Sequence, residues 1–289
     1  MEMVDKRKMN FKESILIFLR GLFMGIADII PGVSGGTIAL ITGIYERLVH
    51  AISEINKLII KNVFRAKIRN AFVNIKKLDF PLFIPLIIGI ALAFITLSHL
   101  MSYLLLVWTG LTYAFFFGLI LASAIFVYKQ ASDNHAMNLI PLILGIVFGL
   151  FIVSLKALQA NHSLLIIFLS GAIGICAMIL PGISGAFILL ILNQYEYMIN
   201  VIKNLVLDKL LVFLIGAGVG ILSFSKLLDY LLEKHKGATM AFLTGLMLGS
   251  LKLPVVRMFS SPEWFGFKVI TGLFGFVIVF IIERKFTQA

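Results

Sequence analysis

Charge is scarce in this sequence, and acids are scarcer than bases. Only 13% of the 289 residues are charged, 14 Asp or Glu against 25 Lys or Arg, while 60% are hydrophobic. A soluble domain carries about a quarter charged residues, so this composition excludes one and points to an integral membrane protein with several spans. Cysteine is nearly absent. Cys176 stands alone in an apolar run, which excludes an intramolecular disulfide and leaves it as a small hydrophobe. Ten-residue segments of alternating polarity, the mark of a membrane β-barrel, are missing. The apolar runs are continuous and approach the roughly 20 residues that a helix needs to cross a bilayer.

Chemical signatures are missing too. There is no HExxH, no P-loop and no clustered Arg/His/Asp set of the kind a lipid phosphatase would carry. The five histidines, at 50, 99, 135, 162 and 235, lack metal-ligand spacing. The sequence therefore predicts no enzyme, no metal and no resident cofactor. No cleavable signal peptide is evident, because the basic residues 1–13 lead into an apolar run without a small-residue cleavage site. The net charge of +11 sits in loops beside apolar runs, which is the positive-inside pattern and not a nucleic-acid face.

What the sequence has is an internal echo. Residues 21–46, GLFMGIADIIPGVSGGTIALITGIYE, align without a gap to residues 171–196, GAIGICAMILPGISGAFILLILNQYE, at an offset of 150. Pro31 falls on Pro181, Gly32 on Gly182, Ser34 on Ser184, Gly35 on Gly185, and Tyr45-Glu46 on Tyr195-Glu196. A Pro-Gly-x-Ser-Gly tract breaks a helix where apolar surroundings make free backbone groups costly. Paired breaks in two halves are the sequence mark of a transport site between them. After the first break the apolar stretch runs nine residues from Thr37 to Tyr45, roughly half a bilayer at about 1.5 Å per residue, and after the second it runs only from Ala186 to Leu192 before Asn193. That predicts re-entrant hairpins over 14–50 and 163–203.

The echo continues at an offset of 127, with Gly89 on Gly216, Gly110 on Gly237, Gly118-Leu119 on Gly245-Leu246 and Ser123 on Ser250. Three spans are expected near 82–106, 110–128 and 139–157, and three more near 208–232, 238–253 and 265–283. The predicted fold is an all-α polytopic membrane protein of two inverted repeats, 1–157 and 158–289. Each repeat is a re-entrant helical hairpin plus three transmembrane helices, and an odd number of crossings turns the second copy upside down. With the N-terminus inside, 18 of the 25 Lys and Arg fall on the cytoplasmic side, six outside, and Lys226 within a span. Both termini are then cytoplasmic. The first half alone carries a basic insert at 50–80, with Lys57, Lys61, Arg65, Lys67, Arg69, Lys76 and Lys77 among apolar residues. It reads either as an amphipathic helix on anionic membrane lipid or as a solvated basic linker.

Inverted hairpins bring the two tips together near the midplane. A half-helix begins at Ser34-Gly35-Gly36-Thr37 and another at Ser184-Gly185, and helix N-termini bind anions through free N–H groups. The same residues also make a tight turn with a capped helix. Residues that break the symmetry are the better substrate or gating candidates. Arg20 matches Ser170 and Asp28 matches Met178. Arg20 offers a planar fork for phosphate, or snorkels to the interface. Asp28 is an acceptor for a coupling proton or sodium ion, or a partner for another helix. Glu46, Arg47 and Glu196 are gating candidates, or mark where each hairpin returns to the interface.

The stretch GIADIIPGVSGGTIALITGIYERL with its echo MILPGISGAFILLILNQYE resembles the bacterial undecaprenyl phosphate translocases, or polyprenyl-phosphate transporters, over nearly the whole chain. The resemblance implies a protein of the bacterial cell membrane that returns undecaprenyl phosphate, the lipid carrier of cell-wall synthesis, to the cytoplasmic leaflet. It implies that the chain carries the phosphate headgroup across; the paired tips are the site the residues themselves suggest for it, and a homo-oligomer is left open. The second motif departs from the first at Ala186, where the first has Gly36, and lacks the Asp. A secondary transporter of a soluble ion and a membrane enzyme acting on a lipid phosphate are the alternative readings.

Overall fold

The computed structural model describes residues 11–30, 32–63, 78–129, 131, 135–159 and 161–287. The N-terminal arm through residue 10, Pro31 and the centre of the basic insert, 64–77, lie outside them. Among the described residues every regular element is a helix. The first half holds α1 (Phe11–Ile29), α2 (Gly35–Ile41), α3 (Tyr45–Val63), α4 (Phe80–Val107), α5 (Thr109–Lys129) and α6 (His135–Ser154). The second holds α7 (Leu164–Ile179), α8 (Gly185–Ile191), α9 (Tyr195–Lys203), α10 (Leu207–Lys234), α11 (Lys236–Ser250), α12 (Lys252–Phe259) and α13 (Phe265–Thr287).

Four segments are long and apolar enough to cross a membrane: α4, α5, α10, and α11 with α12 taken together, Lys236–Phe259. The spans expected at 139–157 and 265–283 fall on α6 and α13, His135–Ser154 and Phe265–Thr287, which among the described residues are apolar over Asn138–Ser154 and Phe265–Ile281. After the second break, α8 and α9 meet at a bend of 104°. The basic insert begins as a helix, since α3 continues to Val63.

The sequence offsets reappear as packing. α1 lies on α4, and α7 on α10. A Cβ on Gly21 would overlap the Leu86 carbonyl, and one on its match Gly171 would overlap the Phe213 carbonyl. Gly89 in turn meets the Phe18 carbonyl, and its match Gly216 meets that of Phe168. The same contact is thus built twice, at offsets of 150 and 127. Small residues let helix backbones touch, which drives association where lipid is as apolar as leucine. The last helix of each half packs across to the other. Gly118 on α5 faces the Gly272 carbonyl on α13, and Gly245 on α11 faces the Leu142 carbonyl on α6.

This geometry separates neighbouring glycines on α10. Gly216 and Gly220 abut the α7 backbone at Phe168 and Ala172, whereas nothing lies near a Cβ at Gly218. Gly218→Ala should stabilise by up to about 1 kcal/mol, the helix-propensity gain. Gly216→Ala should destabilise by about 1–3 kcal/mol through overpacking. Thermal melting in detergent checks both signs.

The two ends are tied differently. At one end Arg47 donates to Asp79 at 2.8 and 3.1 Å and to Glu13 at 3.1 Å. Its hydrogen bonds to Asp79 hold the guanidinium still more firmly protonated than usual. Lys236 pairs with Glu46 at 2.7 Å, and His50 lies 3.1 Å from Asp229. α3 is thereby fastened to α4 on one side and to α10 and α11 on the other. About 42 Å away along α4, Glu263 accepts the Gly110 N–H at 2.9 Å and Lys268 donates to the Ser261 carbonyl at 2.8 Å. There too His162 stacks on Tyr197 with ring centroids 3.8 Å apart, and the buried Gln194 amide donates to the Asn161 carbonyl at 2.7 Å.

Candidate functional site

Each break is a reverse turn followed by a capped half-helix. Ile183 N–H returns to the Leu180 carbonyl at 3.3 Å, and Gly182 between them has φ +86°. That is a type II turn, which needs the left-handed region at its third residue. The same bond closes Val33 to Ile30 at 3.0 Å, with Gly32 at φ +88°. Ser34 and Ser184 then cap α2 and α8, as the Ser at each N-cap position requires. Both α2 and α8 are seven residues long.

The tips meet across the two halves. The Ser34 hydroxyl donates to the Leu180 carbonyl at 3.0 Å and accepts the Gly36 N–H at 3.2 Å. Gly182 N–H donates to the Thr37 hydroxyl at 3.0 Å. A Cβ on Gly36 would stand 2.6 Å from the Ile179 carbonyl oxygen. The N-terminus of α2 is therefore set against the C-terminus of α7, positive dipole end to negative. Ser34, Thr37 and Ser184 are all buried, at 1%, 0% and 3% exposure, so the contact is sealed from both faces.

Asp28 closes the first tip from its own helix. Its carboxylate accepts the Gly35 N–H at 2.7 Å. With Gly36 N–H taken by Ser34 and Thr37 N–H by the Ser34 carbonyl at 3.0 Å, the first-turn donors of α2 are satisfied by protein. The donor expected here from the sequence to be free for an anion is held by the chain's own Asp28 carboxyl group. α8 differs. Phe187 N–H reaches the Ser184 hydroxyl at 3.4 Å and Ile188 N–H the Ser184 carbonyl at 3.1 Å. The N–H groups of Gly185 and Ala186 have no such partner among the described residues. Met178, matched to Asp28, cannot supply one.

The other candidates lie elsewhere. Arg20 is eight residues from Asp28, about 12 Å along α1, and within Coulombic reach of Arg47 and Glu13. Arg20, Arg47 and Glu46 belong to the ion-paired end, and the tip residues form a second station. Glu196 is exposed on α9 with no ion pair among the described residues. Several groups had no motif to announce them: the Ile179 and Leu180 carbonyls, Asp79, Lys236 and Asp229. Tyr45 was visible only as part of the echo; it is buried, and its hydroxyl has no hydrogen-bond partner among the described residues.

A multi-pass helical membrane protein whose two broken helices bond tip to tip has the architecture of a transporter. The family model described as VCA0040-like, undecaprenyl phosphate translocase-like, matches residues 24–261. A polyprenyl-phosphate transporter of Vibrio cholerae serotype O1 is 45% identical over 235 residues, 81% of this chain and 75% of the relative. A polyprenyl-phosphate transporter of Staphylococcus aureus is 30% identical over 284 residues, 92% of this chain and 95% of the relative. No solved structure matches. The chain belongs to the undecaprenyl phosphate translocase-like family, a family of transporters and not of enzymes.

Proposed function

We propose that this protein moves undecaprenyl or another polyprenyl phosphate between leaflets of the bacterial cytoplasmic membrane, returning the carrier to the cytoplasmic side. The observation that carries the reading is the bonded pair of hairpin tips, Ser34–Leu180 and Gly182–Thr37, in a chain of this family. The headgroup is a small anion that hydrocarbon excludes. Ser34, Gly35, Gly36, Thr37, Ser184 and Gly185 would offer it hydroxyls and backbone donors midway across. Re-entrant hairpins in inverted repeats would expose that station to one side at a time. The mirrored Gly21–Leu86 and Gly171–Phe213 contacts support the repeat, and the charge distribution supports cytoplasmic termini.

In this reading Asp28 holds the Gly35 N–H while the site is empty. A phosphate arriving there must displace the carboxylate or meet it neutral, since two anions cannot share one donor set in low dielectric. Asp28 is thus the group placed to exchange a coupling proton or sodium ion. Arg20 and Arg47, with Glu13 and Asp79 beside them, would form an ion-paired station at the cytoplasmic end, and the pairs Glu46–Lys236 and His50–Asp229 would close that end. Among the described residues no such ion pair ties Glu196 on the opposite face. The basic segment 50–80 would rest on anionic lipid.

The test is leaflet-to-leaflet transfer of an isotope-labelled polyprenyl phosphate in proteoliposomes. Wild type should transfer far faster than empty vesicles, and Arg20→Ala should lower the rate by about tenfold or more, the worth of one charge-assisted bond. Transfer no faster than in empty vesicles, with folded protein present, would reject the reading. Release of inorganic phosphate would instead reveal an enzyme.

A further inference from the structure

We infer that the structure is locked on the cytoplasmic side by the contact of α3 with α10 and α11, and that α9 makes the mirror contact with α4 and α5 when the outer side closes. The inference rests on the transport reading above. α3 lies along α10. Its stripe Tyr45, Val49 and Ile52, spaced to share one helix face, is buried. Glu46 pairs with Lys236 at 2.7 Å, and His50 lies 3.1 Å from Asp229. Both bonds join the first half to the second.

The repeat gives every member a counterpart. An offset of 150 carries Glu46, His50 and Ile52 to Glu196, Asn200 and Ile202 on α9. An offset of 127 carries Asp229 and Lys236 back to Ser102 on α4 and Thr109 at the start of α5. The same two offsets relate the backbone contacts of the α1–α4 and α7–α10 seams. Yet the counterparts are apart. Among the described residues α9 has no comparable packing on α4. Ile52 is 7% exposed, and Ile202 is 55% exposed. Glu196, Asn200 and Ser102 are exposed, and the Thr109 hydroxyl donates to the Leu105 carbonyl of its own turn. The turn before α9 bonds within its own half, Asn193 to the Leu158 carbonyl at 3.3 Å and Gln194 to that of Asn161 at 2.7 Å. Inverted repeats that close one side with one contact close the other with its mirror image. Internal symmetry thus names what covers the bare stripe of α9. The two contacts differ in strength. The cytoplasmic one holds an ion pair, whereas the outer one would set Glu196 against Thr109 and Asn200 against Ser102. The ion pair biases the resting protein toward the cytoplasm-locked state, so the polyprenyl phosphate enters from the outer leaflet.

Cross-linking tests this without lipid transfer. In a Cys176→Ala background, Ser102→Cys and Asn200→Cys place one thiol on α4 and one on α9. A His–Asp contact leaves backbones farther apart than a direct disulfide spans, so a short bis-methanethiosulfonate reagent is used. It should join the thiols slowly, because the outer contact is open at rest. Adding Lys236→Glu sets like charges together and should speed cross-linking by about threefold or more, the scale of an exposed ion pair reversed. Adding Glu46→Lys as well rebuilds the pair with its charges exchanged, and should return the rate to within about twofold of the start. Thr109→Lys, which gives Glu196 a partner, should also speed cross-linking with the cytoplasmic pair intact. Fast cross-linking before any of these changes, no acceleration by Lys236→Glu or Thr109→Lys, or no recovery on charge exchange overturns the inference. Leaflet transfer by the wild type judges the transport reading separately. Cross-linking as expected without transfer would reject that reading and leave the two contacts standing.

Discussion

Asp28→Asn should leave a folded protein that no longer translocates its lipid. Asparagine keeps an oxygen that can accept the Gly35 N–H, now held at 2.7 Å by the carboxylate, so the turn and α2 survive. What is lost is the charge and its ability to leave. A carboxylate that exchanges with a proton or with the phosphate can alternate between holding α2 closed and releasing it. An amide holds the same donor in every state. Transfer in proteoliposomes is expected to fall by at least about tenfold, equivalent to about 1.4 kcal/mol, with the melting temperature nearly unchanged. An imposed proton or sodium gradient that speeds the wild type should have no effect on the variant. Asp28→Ala differs in kind. It removes a hydrogen bond to a charged group, worth about 1.5–3 kcal/mol, and should destabilise the fold as well. Full-rate transfer by a folded Asp28→Asn protein would remove Asp28 from the mechanism.

The fold was legible to the extent that the sequence repeats itself. The offsets of 150 and 127 are visible as matched glycines, and matched glycines became matched backbone contacts, because a residue without Cβ is needed wherever two helices touch. The tips were legible for the same reason: Pro-Gly-x-Ser-Gly specifies a type II turn and a capped helix with few alternatives. Span count was not legible. Four segments meet the length and apolarity of a span, while α6 and α13 are apolar over shorter stretches among the described residues. Nor was the state of the donors legible. Asp28 is seven residues before Gly35 in sequence, and only the reversal at Gly32 brings its carboxylate back onto the half-helix. The separation of Arg20 from Asp28, about 12 Å along one helix, was by contrast readable from their eight-residue spacing. The ionic ties of Arg47 and Glu46 to Asp79 and Lys236 span 32 and 190 residues, and no local pattern encodes such pairs.

Gly36→Ala is the most stringent test of the tip pair, because it installs the residue that the second motif already has. Ala186 is accommodated on α8, so neither the turn nor the half-helix forbids a methyl group. On α2 the same methyl would stand 2.6 Å from the Ile179 carbonyl oxygen, well inside contact distance. That oxygen belongs to backbone at the end of α7, so relief requires the tips to part. Parting stretches the Ser34–Leu180 and Gly182–Thr37 bonds, both buried, and an unsatisfied buried donor costs about 1–3 kcal/mol. Gly36→Ala should therefore destabilise by about 1–3 kcal/mol and reduce transfer by about tenfold or more. The reciprocal Ala186→Gly should cost no more than about 1 kcal/mol, the loss of helix propensity, and leave transfer within about twofold. Melting and transfer measured on the two variants together separate a requirement of the motif from one of the interface. A tolerant Gly36→Ala would mean that the tips are apart in the working protein. The asymmetry between Gly36 and Ala186 then follows from geometry: the two motifs make the same turn, but only α2 abuts the opposite hairpin's backbone.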